Sequence, residues 1–208
     1  MSRPGSFSRF TLGVVLCMAL AGCISVFPKT PPAQLYRFGA LEAADRPAPA
    51  AGQTIALGAI AFDSPASTDR ILAMTGQDAA FISGARWVAP APVVFEAALV
   101  RGFQATTGAP RLVQRGSIAK EPLTLDLDVQ AFEARYDQGE KAAPLVVIQV
   151  HAVMLRNSDR TVAGERTFVI SRRADDNRIS LIVQAFDGAS KDLIGKLATW
   201  SGGLLSAG

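Results

Sequence analysis

Three stretches between residues 123 and 171 alternate apolar and polar side chains. Leu123, Leu125, Leu127, Val129 and Ala131 interleave with Thr124, Asp126, Asp128 and Gln130. Side chains on a strand point to opposite faces in turn, so this predicts a half-buried strand. Residues 144–156 repeat the pattern, with Val146, Ile148, Val150, Ala152 and Met154 on one face. Residues 160–171 return with Val162, Phe168 and Ile170 pointing one way. The polar stretches at Asp137–Lys141 and Asn157–Asp159 are too short for a crossover, so these three strands are expected to be antiparallel neighbours.

Earlier in the chain the β signal is weaker. Ile55, Leu57, Ala59 and Ala61 alternate within residues 54–62. Residues 69–74 and 80–88 read as extended pieces around a Thr75-Gly76 turn, and 35–39 as a short first strand. The period changes twice, to 3–4 residues. After Pro90 and Pro92, which suit a first helical turn, Val94, Phe95, Ala98, Leu99, Gly102 and Phe103 share a face up to Gly108-Ala109-Pro110. After Asp175, Asp176 and Asn177, read as capping groups, Ile179, Ile182, Val183, Phe186, Ser190, Leu193, Ile194 and Leu197 make a long amphipathic helix. The order of elements predicts an α+β domain over residues 35–208, a mostly antiparallel sheet with two amphipathic helices packed on one face.

The N-terminus follows another logic. Arg3 and Arg9 precede an apolar run, Phe10 to Ala21, which has the length of a signal h-region and is too short to span a bilayer, for which about 20 residues are needed. Leu20-Ala21-Gly22-Cys23 then resembles a bacterial lipobox: an aliphatic residue, two small ones and the cysteine that takes a diacylglycerol. Residues 1–22 are thus expected to be a lipoprotein signal peptide. Residues 23–34 are expected to be a lipidated cysteine and a tether stiffened by Pro28, Pro31 and Pro32. Eleven extended residues reach at most roughly 36–40 Å.

Processing would alter the charge and the cysteine content. Loss of Arg3 and Arg9 takes the net charge from +3 to +1, which gives no ground for a nucleic-acid partner. Cys17 would leave with the signal peptide and Cys23 would be acylated, and the chain has no other cysteine. Neither a disulfide nor a cysteine-based metal site is expected, and the folded part should be a soluble monomer or homo-oligomer resting on its apolar core. No cofactor is expected beyond the covalent N-acyl diacylglycerol on Cys23.

Candidate chemistry is sparse. The single histidine, His151, lies mid-strand, where a surface role is the simpler reading. Asp126 and Asp128 share a strand face but occupy its polar positions. Ser117-x-x-Lys120 matches a two-residue fragment of the cell-wall acyltransferase pattern without its companion motifs. Gly188 to Lys196 lacks the spacing of a phosphate loop. Catalytic and metal-ligating residues are therefore both expected to be none.

Several segments, taken in order, resemble the auxiliary lipoprotein family of ABC-type transporters that serve MCE proteins. They are the lipobox, Tyr36-Arg37-Phe38 after the proline tether, the Ile55–Ala61 strand, Asp69-Arg70-Ile71, Arg86-Trp87-Val88-Ala89-Pro90 at the entry to the first helix, and Leu125 to Phe132. The resemblance implies a non-catalytic accessory of an envelope-spanning lipid transport system. Its partners would be an MCE protein and an inner-membrane permease and ATPase. Ile24, in place of the aspartate that commonly retains lipoproteins at the inner membrane, implies anchoring to the outer membrane, facing the periplasm. Asp69, Arg70, Arg86 and Trp87 are the candidate partner-binding residues, since Trp and Arg are favoured at interface hot spots. The competing reading is a tryptophan packed under the helix entry beside an ion pair. An assembly lipoprotein of a lipopolysaccharide-export complex and an activator of a cell-wall synthase stand as alternative functions.

Overall fold

The longest apolar-alternating segment becomes the central strand. In a computed structural model describing residues 32–39, 53–114 and 121–206, β6 (Leu123–Arg135) pairs along its whole length with β7 (Leu145–Arg156), and β7 with β8 (Val162–Arg173), all antiparallel. The other edge of β6 is shared by two strands. β2 (Thr54–Phe62) runs parallel to it from Thr124 to Val129, and β3 (Arg70–Thr75) runs parallel to it at Ala134 and Arg135. Beyond β2 lies β5 (Arg111–Gln114), parallel. Beyond β3 lie antiparallel β4 (Asp78–Trp87) and then parallel β1 (Gln34–Tyr36). The eight-stranded sheet is therefore mixed: long antiparallel ladders on one side of β6, and short ladders, all parallel except β3–β4, on the other.

Two helices cover one face, as the 3–4 residue spacing implied. α1 (Ala91–Ala105) begins after Pro90 with Pro92 in its first turn, and packs over β2 and β5. α2 (Ile179–Ser206) packs over β7 and β8 and against α1. The helices meet closely at Gly102, where a Cβ would lie 2.3 Å from Ile194 Cγ2. Val146, Ile148, Val150, Ala152 and Met154 of β7 are fully buried beneath them. The capping role expected of Asp176 and Asn177 is not realised. Asp176 accepts Asn177's own N–H and pairs with Arg178, while the Asn177 side chain accepts from the Tyr136 hydroxyl at 3.0 Å and donates to the Glu140 carbonyl.

Three bulges correct the face assignments made from strict alternation. In β2 the register slips between Leu57 and Ile60, so Ala59 and Ala61 turn outward while Ile60 and Phe62 pack on the core. The Ala59 N–H freed by the slip donates to Asp126 Oδ1 at 2.8 Å, which gives that carboxylate a structural task. In β6 Gln130 is the extra residue; past it Phe132 and Ala134, rather than Ala131, join the core cluster. In β8 the slip at Ala163 leaves Val162 52% exposed while Phe168 and Ile170 stay buried. One inserted residue exchanges the two faces of everything beyond it, which is why a period-2 reading fails abruptly at a bulge. Strand β5, four residues without alternation, gave no such signal.

Candidate functional site

Three of the segments that carry the family resemblance, Tyr36–Phe38, Asp69–Ile71 and Arg86–Pro90, meet at one corner of the sheet, where β1, β3, β4 and the start of α1 converge. Trp87 N–H donates to the Asp69 carbonyl at 2.7 Å, Val88 N–H to the Tyr36 carbonyl at 2.8 Å, and Ala91 N–H to the Thr68 carbonyl at 3.0 Å. Backbone bonds thus tie the Asp69-Arg70 turn, the first strand and the helix entry into one unit.

Within it the four candidate residues divide. Arg86 Nη1 reaches both Asp69 oxygens at 2.9 Å, an ion pair whose side chains are 44% and 39% exposed. Arg70 lies 3.9 Å over the Phe81 ring, a cation–π contact. These three side chains face solvent. Trp87 does not: it is 1% exposed, with Phe38 at 5.0 Å, Phe186 at 5.3 Å and Phe132 at 6.1 Å. A side chain so enclosed is not available as a surface contact, so the hot-spot expectation is corrected for Trp87 and its place is the core beneath the helix entry.

Phe132 is the hub of that core. Its ring lies within 5.0–6.4 Å of Phe38, Phe62, Trp87, Phe95 and Phe186, which come from five different segments. The Gln130 bulge is what turns Phe132 inward. Next to Phe38, Gly39 adopts φ +66° and is clamped by both helices. Its N–H donates to Asp187 Oδ1 at 2.7 Å, and its carbonyl accepts from Arg101 at 3.2 Å. Lys191 completes the clamp by pairing with Asp187 at 2.6 Å. These partners lie 62 and 148 residues away in sequence, so nothing local announced them.

The remaining candidates that lie among the described residues sit on β6, β7 and α2. His151 Nδ1 lies 3.2 Å from the Thr167 hydroxyl on the uncovered face of the sheet. Asp128 sits opposite His151 across the ladder and accepts from Gln130. Gly188 to Lys196 lies within α2. Cys23, Ser117 and Lys120 lie outside the described residues. Among the described residues no three His, Cys, Asp or Glu side chains are grouped to hold a metal, and no helix is long and apolar enough to cross a membrane. The shifted acidities belong to surface ties. Hydrogen bonds from Arg173 hold the Asp137 carboxyl below its ordinary value, and the Thr161 N–H and hydroxyl do the same for Asp159. Burial raises the Tyr136 phenol.

One feature escaped the sequence reading. Between β8 and α2 runs an open groove of about 580 Å³, with Phe168 and Trp200 (ring centroids 5.8 Å apart) and the cationic heads of Arg166, Lys191 and Lys196 along it. Even positions of β8 and the third and fourth residues of successive α2 turns supply it. Recognising it would have required knowing that these two elements lie side by side.

A bulged mixed sheet with two helices on one face defines an α+β domain, and among the described residues no His, Cys, Asp or Glu side chains are grouped to hold a metal. The chain belongs to the ABC-type transport auxiliary lipoprotein component family, whose family model matches residues 36–198. It is similar in fold to a crystal structure of a Xanthomonas campestris protein, at 21% identity and TM-score 0.71, covering 84% of this chain and 98% of that one. An uncharacterised protein matches at 14% identity and TM-score 0.62, covering 81% and 98% of the two chains. A hypothetical protein of Chlamydia trachomatis matches at 7% identity and TM-score 0.53, covering 76% and 100%. No match is found among curated proteins.

Proposed function

We propose that this lipoprotein is a non-catalytic accessory subunit of an intermembrane lipid transport system, held to the periplasmic side of the outer membrane by a lipid on Cys23 and docking an MCE-type partner served by an inner-membrane permease and ATPase. The observation that carries the reading is the family match over residues 36–198, most of the folded body, which names an auxiliary lipoprotein of ABC-type transport. Two further features support it. The tetrapeptide ending at Cys23 fits lipid attachment, and each buried methylene of an acyl chain contributes ~0.8 kcal/mol to membrane affinity, so a multiply acylated cysteine is a lasting anchor. The body's first segment is also fixed firmly, with Phe38 in the core and Gly39 clamped between the helices, which suits a domain loaded from its N-terminal end.

Two measurements test the reading. Cys23→Ala should leave an unprocessed precursor, and mass spectrometry of the wild-type protein should find the acylated cysteine at the N-terminus; an unmodified Cys23 in mature protein would refute the anchor. Solubilised from membranes, the protein should co-purify with an MCE protein and its transporter subunits. Recovery of a cell-wall synthase or an outer-membrane export barrel instead, with no MCE protein, would overturn the assignment.

A further inference from the structure

Three strands end the sheet among the described residues, and they are unequal. β1 offers three residues of free edge and β5 four, whereas β8 offers twelve, paired on one side only with β7. A long free edge presents a row of unpaired N–H and C=O groups, a template for another extended chain. Proteins commonly blunt such edges with charge. On β8 two of the arginines are already engaged: Arg172 with Asp192 at 3.1 Å and Arg173 with Asp137 at 2.7 Å. Arg166 is not. Among the described residues it has no carboxylate partner, and its guanidinium lies 5.0 Å over the Phe168 ring.

The helix beside this edge approaches the strand closely at two points. Near one end of β8, Arg172 packs so close to α2 that a Cβ on Gly188 would lie 2.7 Å from it. Near the other end a Cβ on Gly164 would lie 2.8 Å from Leu204, with Trp200 at 3.5 Å. Between these points lies the groove, and Gly195 there faces open space. The groove holds three cations against one carboxylate, Asp192, which is taken by Arg172; Lys191 is taken by Asp187. Arg166 and Lys196 remain without an anionic partner among the described residues, at the rim of an aromatic floor.

We propose that β8 and α2 form a docking groove for an extended acidic segment of a partner polypeptide, which adds to β8 as a further strand. This rests on the reading above that the chain works by docking, and it names the surface and the chemistry of what docks. The added strand would alternate. One set of its side chains would lie over the groove, where Arg166 and Lys196 call for carboxylates and Phe168 and Trp200 supply apolar contact. The other set would lie on the opposite face beside Val169, which is 56% exposed. Backbone hydrogen bonds give such strand addition its affinity, and the alternate side chains give it selectivity. A second copy of the chain fits less well, because its β8 carries a single acid, Glu165, and would bring a second Arg166 to a flank whose Arg166 and Lys196 already lack carboxylate partners among the described residues.

The test uses the full lipidated chain in detergent micelles and a blocked octapeptide alternating Glu and Val. Hydrogen exchange should show new protection of β8 amides and none at β1 or β5, with a change in Trp200 fluorescence. The Arg166→Glu, Lys196→Glu double variant, whose altered heads are exposed and whose thermal midpoint should be unchanged, should bind the peptide at least tenfold more weakly. The proposal is overturned by an absence of binding, by equal affinity for the double variant or for a Lys-Val octapeptide, by protection at another edge, or by β8 amides already protected through a second copy of the chain. No transporter component enters this measurement. Its failure would therefore leave the accessory role standing with a different docking surface, whereas failed co-purification strikes at the role itself.

Discussion

The two tryptophans mark opposite flanks of one sheet. Trp87, at the β1–β4 corner, is 1% exposed and touches three aromatic rings; Trp200, on the β8 flank, is partly buried and has Phe168 as its aromatic neighbour. The corner has a three-residue edge strand and is held by packing around Phe132, supported by backbone bonds from Trp87, Val88 and Ala91. The flank has a twelve-residue free edge and exposed ion pairs, Arg172–Asp192 and Arg173–Asp137. Packing stabilises the corner, although Asp69, Arg70 and Arg86 face solvent there; the flank leaves backbone, aromatic surface and charge unspent. Of the residues that carry the family resemblance, Phe38 and Trp87 thus report on how the domain is built, and the groove proposed above for docking lies elsewhere.

The sharpest way to break this contrast is to truncate both tryptophans. Trp87→Ala removes a fully enclosed ring and should cost about 3–5 kcal/mol in denaturant unfolding, enough to threaten folding. Trp200→Ala, beside an open groove, should cost well under half of that. Equal losses would mean that the flank is as much core as the corner.

Gly39→Ala comes next. Its positive φ alone should cost about 1–2 kcal/mol in any residue with a Cβ, and the added methyl would lie 2.3 Å from Ala98 Cβ, where the helix must give way. The thermal midpoint should fall by several degrees. If stability is unchanged, the clamp between Arg101 and Asp187 does not fix the body's first segment.

Much of this architecture could be read from the sequence. The β7 pattern placed the five residues it buries beneath the helices, though not Val147, buried on the other face, and the α2 spacing placed Phe186, Leu193 and Leu197, because an unbroken period translates directly into one buried face. The bulges were hidden, since a single inserted residue such as Gln130 has no composition of its own. The parallel pairing of β2 with β6 was hidden for a different reason: it joins segments more than sixty residues apart, and local pattern says nothing of long-range partners. At the corner the residues themselves were legible, but burial divides them. Tryptophan serves cores and interfaces equally well, and only the arrangement of Phe38, Phe132 and Phe186 decides which.

The Asp69–Arg86 pair should matter little to folding. Both side chains are more than a third exposed, and such pairs contribute at most ~1 kcal/mol, less at high salt. Arg86→Ala should therefore lower stability by a few tenths of a kcal/mol to about one, in contrast to its neighbour Trp87. A loss comparable to that of Trp87→Ala would show that the ion pair, not the aromatic cluster, organises the corner.

The smallest effect separates the flanks by pH. Arg173 donates to both Asp137 oxygens at 2.7–2.9 Å and holds that carboxyl below its ordinary value in the folded protein, tying the β6–β7 turn to the end of β8. A carboxyl whose folded pKa is depressed binds its proton more readily when unfolded. The stabilisation it gives is therefore fully present above the ordinary carboxylate range, and is lost as pH falls through the folded value. Asp137→Asn should leave a protein slightly less stable at neutral pH, with a shallower decline of its thermal midpoint on acidification. Arg173 also donates to the Ala143 carbonyl, so the tie is only halved and the change should be modest. Hydrogen exchange makes the comparison local: in the variant, amides near the end of β8 should open sooner at neutral pH, while those of β4 beside Trp87 keep their protection. An acid limb identical to that of the wild type would mean that this pair, though well formed, is too well solvated to stabilise the flank.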